Sequence, residues 1–244
     1  MKILSIDFDY LQKVTEEQLR SHYPDGVDNN TFVSEVVWAS HYASDGDEIN
    51  QIGIREDELE ILETVLLNQP HDIPVMITNS HKHIYDFICE YDDGEEMVLV
   101  NADMHHDISN KNPELDCGNW ISHLSSRQLE NGAGIDFTWV TNPVSLQMVD
   151  GLEELLGEHK SEITKPSVKE YEGEAFDMVF LCRSDTWSPP HLDKYFTELC
   201  DVIKSNFDNI RMENGIDKPR KEYSSLAEQI KKATEKFRER ERNV

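Results

Sequence analysis

Apolar runs of β-forming residues alternate along the chain with segments in which apolar residues recur at helical spacing. The runs predict buried strands at residues 2–6, 73–78, 132–141 and 176–182, and a further strand that begins at residue 96. The intervening segments predict helices at residues 15–22, 32–42, 55–67, 121–129 and 192–206, and another that starts near residue 80. Strands that alternate with helices are typical of an α/β domain with a largely parallel sheet. We therefore expect one α/β domain over residues 1–244.

Two segments depart from this alternation. Residues 43–54 are acidic and rich in turn-forming residues, which predicts a solvated loop. Residues 219–244 are basic, and Leu226, Ile230, Ala233 and Phe237 recur there at helical spacing. We expect a basic C-terminal helix that packs on the acidic body of the protein. An interaction arm is the alternative.

The strand that begins at residue 96 ends in the pattern Asp-x-His-x-Asp, formed by Asp103, His105 and Asp107. In an extended chain, side chains two residues apart share a face, so these three groups would converge on one pocket. Unpaired polar groups are costly to bury, and a bound cation would offset that cost. Carboxylate with imidazole suits Mn, Fe or Zn, and the excess of carboxylate favours Mn. A loop with solvated side chains is the alternative.

Two other predicted strands end in residues of the same kind. Asp7 and Asp9 follow the first strand, and His81 follows the strand at residues 73–78, where a helix begins. The carboxyl ends of the strands in an open α/β sheet border its ligand crevice. A helix N-cap would explain one of the two acids, and a structural role would explain a lone histidine. His83 is close enough to compete with His81 as a ligand.

The charge of the chain narrows the choice of partners. A net charge of −26 argues against nucleic acid and anionic membranes as partners. It favours divalent metals and cationic ligands such as arginine-like or amine substrates, although solubility alone would also explain it. The four cysteines form no C-x-x-C pair, which argues against a thiolate zinc site. We see neither a signal peptide nor an apolar run long enough to span a membrane, and expect a cytoplasmic protein.

The motifs resemble those of the arginase and agmatinase (ureohydrolase) family. Residues 103–107 are similar to the family's Asp-x-His-x-Asp signature, and residues 7–9 are similar to its Asp-x-Asp signature. His81, in Asn-Ser-His, resembles the ligand that the family usually carries in Gly-Asp-His. The short chain, with Ser-Ile-Asp-Phe-Asp-Tyr and Arg-Ser-Asp-Thr-Trp-Ser-Pro, is most similar to the peptide arginases of ribosomal-peptide natural product biosynthesis.

This resemblance implies an arginase-like three-layer sandwich and a site for two Mn²⁺ ions. The six ligands would divide into two bridging residues, Asp103 and Asp7, and two pairs that each complete one ion, His81 with Asp107 and His105 with Asp9. The same ligand set suits Fe and Co. Ureohydrolases place Asp-x-Asp after Asp-x-His-x-Asp, whereas here it comes first. A circular permutation would account for that order, because chain termini often lie close together.

The implied reaction is hydrolysis of the guanidinium group of arginine residues in a precursor peptide, giving ornithine and urea. Asp107 is the candidate that orients the attacking hydroxide and accepts its proton. His123 or His106 is the candidate that returns a proton to the leaving amine. The cationic guanidinium needs an acidic partner, for which Asp185 and Asp136 are candidates.

Three further residues, Asn110, Asn119 and Trp120, are candidates for the pocket lining, with loop structure and a helix cap as the alternative.

Other functions share some of these features. A haloacid-dehalogenase phosphatase also carries Asp-x-Asp after a strand, but Leu11 stands where that family has Thr or Val, and the second motif stays unexplained. The enzyme alternatives are a small-molecule ureohydrolase and a deacetylase-like amidohydrolase that uses one zinc ion. The non-enzyme alternative is a metal-dependent binder of basic peptides. Turnover of an arginine peptide separates the enzymes from the binder.

Overall fold

The computed structural model describes residues 1–23, 31–109, 112–148, 163–220 and 224–242. The strands in these residues are β1 (Lys2–Asp7), β2 (Gln12–Lys13), β3 (Gly53–Ile54), β4 (Pro74–Thr78), β5 (Met97–Asp103), β6 (Ile135–Thr141), β7 (Thr164–Lys165), β8 (Met178–Cys182) and β9 (Asn209–Met212). Seven of them form a parallel sheet in the order β7-β6-β5-β1-β8-β4-β9. The other two, β2 and β3, form a small antiparallel pair.

The helices in the same residues are α1 (Glu16–His22), α2 (Thr31–Ile49), α3 (Glu56–Leu67), α4 (His83–Tyr91), α5 (Trp120–Glu130), α6 (Ser145–Met148), α7 (Asp193–Asn206) and α8 (Ser224–Arg242). Each predicted strand and helix is present. The strands that the sequence did not predict, β2, β3, β7 and β9, have two to four residues each. Such segments are too short for an apolar pattern to develop.

Both faces of the sheet are covered by helices. Along β1, Ile3 packs with the apolar residues of α4 and α5, whereas Leu4 packs with those of α3 and α7 on the opposite face. Strands buried on both faces need nearly continuous apolar sequence, which β1, β5 and β8 have. The result is a helix–sheet–helix sandwich of three layers, so the prediction of an α/β fold with a parallel sheet is confirmed.

The order of the strands places β1 near the centre, between β5 and β8, with β4 beside β8. The chain runs from β1 to β4 on one side of the centre and then returns to β5 on the other side. In parallel sheets the ligand crevice lies outside the carboxyl ends of the strands, where the strand order reverses. The predicted metal ligands lie at the ends of β1 and β5 or in the turns after β1, β4 and β5, and therefore meet at the carboxyl edge of the sheet.

The prediction of a loop at residues 43–54 is wrong for most of the segment. Helix α2 continues to Ile49 across a kink at Asp45, whose backbone is not helical. Trp38 and Ile49 are fully buried, and the hydroxyl of Tyr42 forms a hydrogen bond of 2.6 Å with Nδ1 of His191. These residues continue the inner face of α2 beyond Tyr42, while Asp45, Asp47 and Glu48 are exposed on its outer side.

The sequence predicts a side-chain cap at the start of two helices, from Thr15 and from Ser80. Thr15 caps α1 as predicted, because its side chain accepts a hydrogen bond from the Gln18 backbone N–H. The prediction for Ser80 is wrong, because α4 begins at His83 after Lys82 and has no side-chain cap.

The C-terminal helix α8 contacts α2. Near its start, Leu226 and Ile230 are half-buried and Ala227 is buried, whereas Phe237 is 63% exposed. The predicted apolar stripe is therefore covered only in its first half. No helix in the described ranges is both long enough and apolar enough to cross a membrane.

Candidate metal centre

Six acidic and histidine side chains meet at the carboxyl edge of the sheet. They come from the ends of three strands and the turns after them, and we call them the Asp–His cluster: Asp7, Asp9, His81, Asp103, His105 and Asp107. Five of the six are buried, and His105 is partly exposed. The structure therefore brings together the six residues that the resemblance implies as metal ligands.

One half of the cluster surrounds the Nδ1 atom of His81. The Oδ2 atoms of Asp107, Asp103 and Asp7 lie 3.0, 3.1 and 3.3 Å from this nitrogen. Each of the three carboxylates comes from a different turn or strand end, so their convergence follows from the strand order and not from local sequence alone. His81, Asp7 and Asp103 offer one donor atom each within a sphere that could hold a metal ion.

The other half surrounds the Nδ1 atom of His105. Oδ2 of Asp9 lies 3.0 Å from it, and Oδ1 of Asp103 lies 3.7 Å from it. Asp9, Asp103 and His105 form a second group that could hold a metal ion. Asp103 belongs to both groups and turns one carboxylate oxygen toward each, which is the geometry of a bridging ligand.

The donor set fits a cation on two grounds. Oδ2 of Asp9 and Nδ1 of His81 are buried and form no well-directed hydrogen bond with any described residue, although carboxylate oxygens or a ring nitrogen lie close by. Buried polar atoms without partners are rare and costly. Two donors at right angles around a cation with bonds of about 2.1 Å would lie about 3.0 Å apart. The spacings of 3.0 to 3.3 Å around His81 match that geometry.

Neighbouring polar groups hold the cluster in place. Ser5 Oγ lies 2.7 Å from Nε2 of His81, and Nε1 of Trp120 donates a hydrogen bond of 2.6 Å to Oδ2 of Asp107. Nε1 of Trp139 donates to the backbone carbonyl of Asp103 at 3.0 Å. Sequence reasoning missed Ser5 and Trp139. The signal for Ser5 was its position two residues before Asp7 on the same strand face, whereas nothing in the sequence connects Trp139 with Asp103.

The charges of the cluster shift its pKa values in opposite directions. Burial and nearby carboxylates raise the pKa of Asp9 well above its usual value, and burial with the charge of Asp103 raises the pKa of Asp107 to about 7. Burial alone would lower the pKa of His81 and of His105, but the carboxylates close to each ring raise both well above the usual value. Burial would raise the pKa of Asp103, but its two histidine partners lower it well below the usual value. Protons on the imidazoles thus offset the negative charge that a cation would otherwise neutralise.

The backbone is unusual at two points beside the cluster. Asp107 and Ser184 have φ angles of +53° and +55°, and they are the non-glycine residues with positive φ in the described chain. Such conformations are uncommon outside glycine and tend to occur at functional sites. Asp107 belongs to the cluster, and Ser184 opens the loop after β8 that passes next to it.

The structure does not support the two candidates for a guanidinium partner. Both carboxylate oxygens of Asp185 accept hydrogen bonds from Arg183, at 2.5 and 3.1 Å, so an internal guanidinium already occupies this acid. Asp136 is exposed near the amino end of β6, where it is in register with Val98 of β5. It therefore lies at the opposite end of the strands from the cluster. These placements argue against the predicted contact of either acid with a guanidinium, and sequence cannot reveal which acids are already paired.

The remaining candidates are placed as follows. His123 packs against Tyr85, with ring centroids 6.4 Å apart, and forms no hydrogen bond or ion pair with the six cluster residues. Nδ1 of His106 accepts a hydrogen bond from the backbone N–H of Ile108.

His83 is the first residue of α4 and stands outside the cluster, whereas His81 is 2% exposed within it. Asn110 lies outside the described residues, and Asn119 binds backbone carbonyls of its own loop.

A cavity of about 190 Å³ lies beyond the ends of β4, β8 and β9, beside the loop after β8. Arg183 and Arg220 line it. Most of their N–H donors are bound to Asp185, Asp193 and backbone carbonyls. The arginines therefore fix the loop and have little capacity left to bind an anion in the cavity.

Comparison with protein-family models, with curated proteins and with solved structures finds no match to this chain. The interpretation of the site therefore depends on its own geometry and chemistry.

Proposed function

We propose that the protein is a binuclear metal hydrolase that removes the guanidinium group of arginine residues in a peptide, leaving ornithine and releasing urea. The observation that carries the proposal is the sharing of Asp103 between two three-residue groups of donors, one around His81 and one around His105. Two metal ions with one bridging carboxylate are a common arrangement in hydrolases. The motif resemblance to ureohydrolases supplies the reaction class.

Manganese is the metal that we propose, because four carboxylates and two imidazoles form a hard, oxygen-rich ligand set. Asp7, His81 and Asp103 would hold one ion, with Asp107 beside it, and Asp9, His105 and Asp103 would hold the other. When bound, the ions would supply a hydroxide at neutral pH and stabilise developing negative charge.

The chain's own residues would then act on the proton. Asp107 would orient the attacking water and accept its proton, held in position by the Trp120 N–H on its Oδ2 atom. Addition of the hydroxyl at the guanidinium carbon, followed by cleavage of its bond to the side-chain nitrogen, gives urea and a primary amine. The leaving amine needs a proton. His106, adjacent to a cluster residue, suits that role better than His123, which packs against Tyr85.

Two observations support a peptide substrate over free arginine. The chain carries a net charge of −26, which attracts basic peptides. Free arginine also presents an α-carboxylate, for which a forked guanidinium is the usual partner. Arg183 and Arg220, the buried arginines beside the crevice, have most of their donors committed to internal partners.

Mass spectrometry of an arginine peptide after incubation with the protein and Mn²⁺ tests the proposal, with a urea assay in parallel. Conversion of arginine to ornithine, seen as loss of CH₂N₂, is the expected result, and Asp103→Asn is the inactive control. Free arginine, agmatine and an acetyl-lysine peptide belong in the same experiment. Preference for the free guanidines would indicate a small-molecule ureohydrolase, and hydrolysis of acetyl-lysine would indicate a deacetylase. Binding of the arginine peptide without a change in its mass would indicate a binding protein and not an enzyme.

A further inference from the structure

Solvent reaches the Asp–His cluster from the side of His105. The side chain of His105 is 29% exposed, whereas those of the other five cluster residues are between 0% and 5% exposed. A substrate that reaches the proposed metal site must therefore pass the imidazole of His105. The residues around that ring are the first that its reacting group meets.

The indole of Trp187 stands against this ring. The ring centroids of Trp187 and His105 are 4.9 Å apart, and the ring planes are inclined by 56°. Trp187 is half-buried, so part of its large aromatic surface stays open to solvent. An aromatic ring beside the exposed part of the cluster is well placed to contact an entering ligand.

The loop that carries Trp187 is fastened on both sides of the indole. The backbone N–H of Trp187 donates to the Ser184 carbonyl at 2.9 Å, and its carbonyl accepts from Nε2 of Gln12 at 2.8 Å. Arg220 donates to the carbonyls of Asp185 and Ser188 at 2.7 and 2.6 Å. The backbone that carries the indole is therefore fixed before any ligand arrives, which lowers the entropic cost of binding.

We propose that Trp187 forms the wall of a binding subsite for the cationic group of the substrate, which its indole face would hold by a cation–π interaction. The inference deepens the proposed function, because it names the residue that recognises the guanidinium there. Trp is the strongest cation–π partner among the side chains. The acid of the same loop, Asp185, is already paired with Arg183, so the aromatic face is the part of this loop that remains for recognition of a cation.

The test compares Trp187→Leu and Trp187→Phe with wild type, all loaded with Mn²⁺. We expect Trp187→Leu to raise KM for an arginine peptide about two- to thirtyfold, the range of a cation–π contact, with kcat and metal content little changed. Trp187→Phe keeps a weaker aromatic face, so its KM should lie between those of wild type and Trp187→Leu. Phe237→Leu is the matched control, since it removes an exposed aromatic ring from α8.

Measurement of peptide binding in the absence of turnover separates this inference from the proposed function. Dissociation constants are compared for the arginine peptide and for the same peptide with citrulline, which keeps the shape but carries no charge. Wild type should prefer the arginine peptide, and Trp187→Leu should lose most of that preference. An unchanged preference and KM in Trp187→Leu would overturn the role of Trp187 and leave the hydrolase proposal intact. Loss of preference in a protein that releases no urea would support the subsite and refute the reaction.

Discussion

The hydroxyl of Ser5 lies 2.7 Å from Nε2 of His81, while Nδ1 of the same ring faces three carboxylate oxygens. If Nδ1 binds a cation, Nε2 carries the ring proton and donates it to Ser5 Oγ. The serine would then select the tautomer and fix the plane of the imidazole. Partners of this kind, one step removed from the metal, commonly tune its affinity.

Replacement of this serine should weaken metal binding without removing a ligand. We expect Ser5→Ala to reduce the affinity for Mn²⁺ about 10- to 100-fold, because the His81 ring loses its hydrogen-bond partner. Isothermal titration calorimetry of the metal-free protein measures the effect. Ser126→Ala, which removes an exposed hydroxyl from α5, should bind as wild type. Equal affinity in both variants would exclude the tautomer role.

The shared position of Asp103 predicts the stoichiometry of the site. Asp103→Asn should lose both ions, because each three-residue group loses a donor, whereas Asp9→Asn should lose only the ion beside His105. Elemental analysis after dialysis against Mn²⁺ should give about zero ions per chain for Asp103→Asn and about one for Asp9→Asn. Asp136→Asn changes an exposed acid on β6 and should retain two. Two ions in Asp103→Asn would contradict a bridging role.

The sequence predicted the members of the Asp–His cluster better than their surroundings. The alternation of apolar runs with helical segments predicted β1, β4, β5, β6 and β8. Aspartate and histidine residues spaced two apart at strand ends indicated the cluster. The pairing of distant side chains has no local signal. Arg183 and Asp185 are neighbours in sequence, yet nothing there shows that they bind each other and not a ligand. The contact between Trp187 and His105 likewise depends on the strand order, which places β8 and β5 on opposite sides of β1.

Metal removal should destabilise the fold. Four buried carboxylates lie within one cluster, and a cation bound only by the folded protein adds stability that grows with the logarithm of the cation concentration above its dissociation constant. Each Mn²⁺ ion at a hundred times its dissociation constant should add about 2.7 kcal/mol, or roughly 5–10 °C in Tm for a chain of this size. Thermal unfolding with Mn²⁺ and with EDTA measures the difference. Asp103→Asn is the control and should show almost none. A wild-type Tm insensitive to both additions would argue against a metal site.

Metal binding should also release protons. The surrounding carboxylates raise the pKa values of His81 and His105 well above the usual value, which favours the protonated rings in the metal-free protein. A metal ion needs the deprotonated nitrogen, so protons leave as it binds, and the apparent affinity rises with pH. Titrations in two buffers that differ in ionisation enthalpy count the protons. The same heat in both buffers would mean that no proton is released.

The loop after β8 should depend on the buried ion pair between Arg220 and Asp193. Arg220 and Asp193 are each about 1% exposed and lie 2.7 Å apart, and Arg220 also holds the carbonyls of Asp185 and Ser188. Arg220→Met leaves the Asp193 carboxylate buried without its partner, which should lower the free energy of unfolding by about 3–5 kcal/mol. Urea denaturation measures this loss. Arg211→Met is the matched control, because its bidentate partner Glu90 is solvent-exposed and solvent screens the pair, so the change should be much smaller. Equal losses in the two variants would show that the buried pair has no special role.

Since the Arg220 contacts flank Trp187, Arg220→Met should also raise KM for the arginine peptide at temperatures where the variant remains folded.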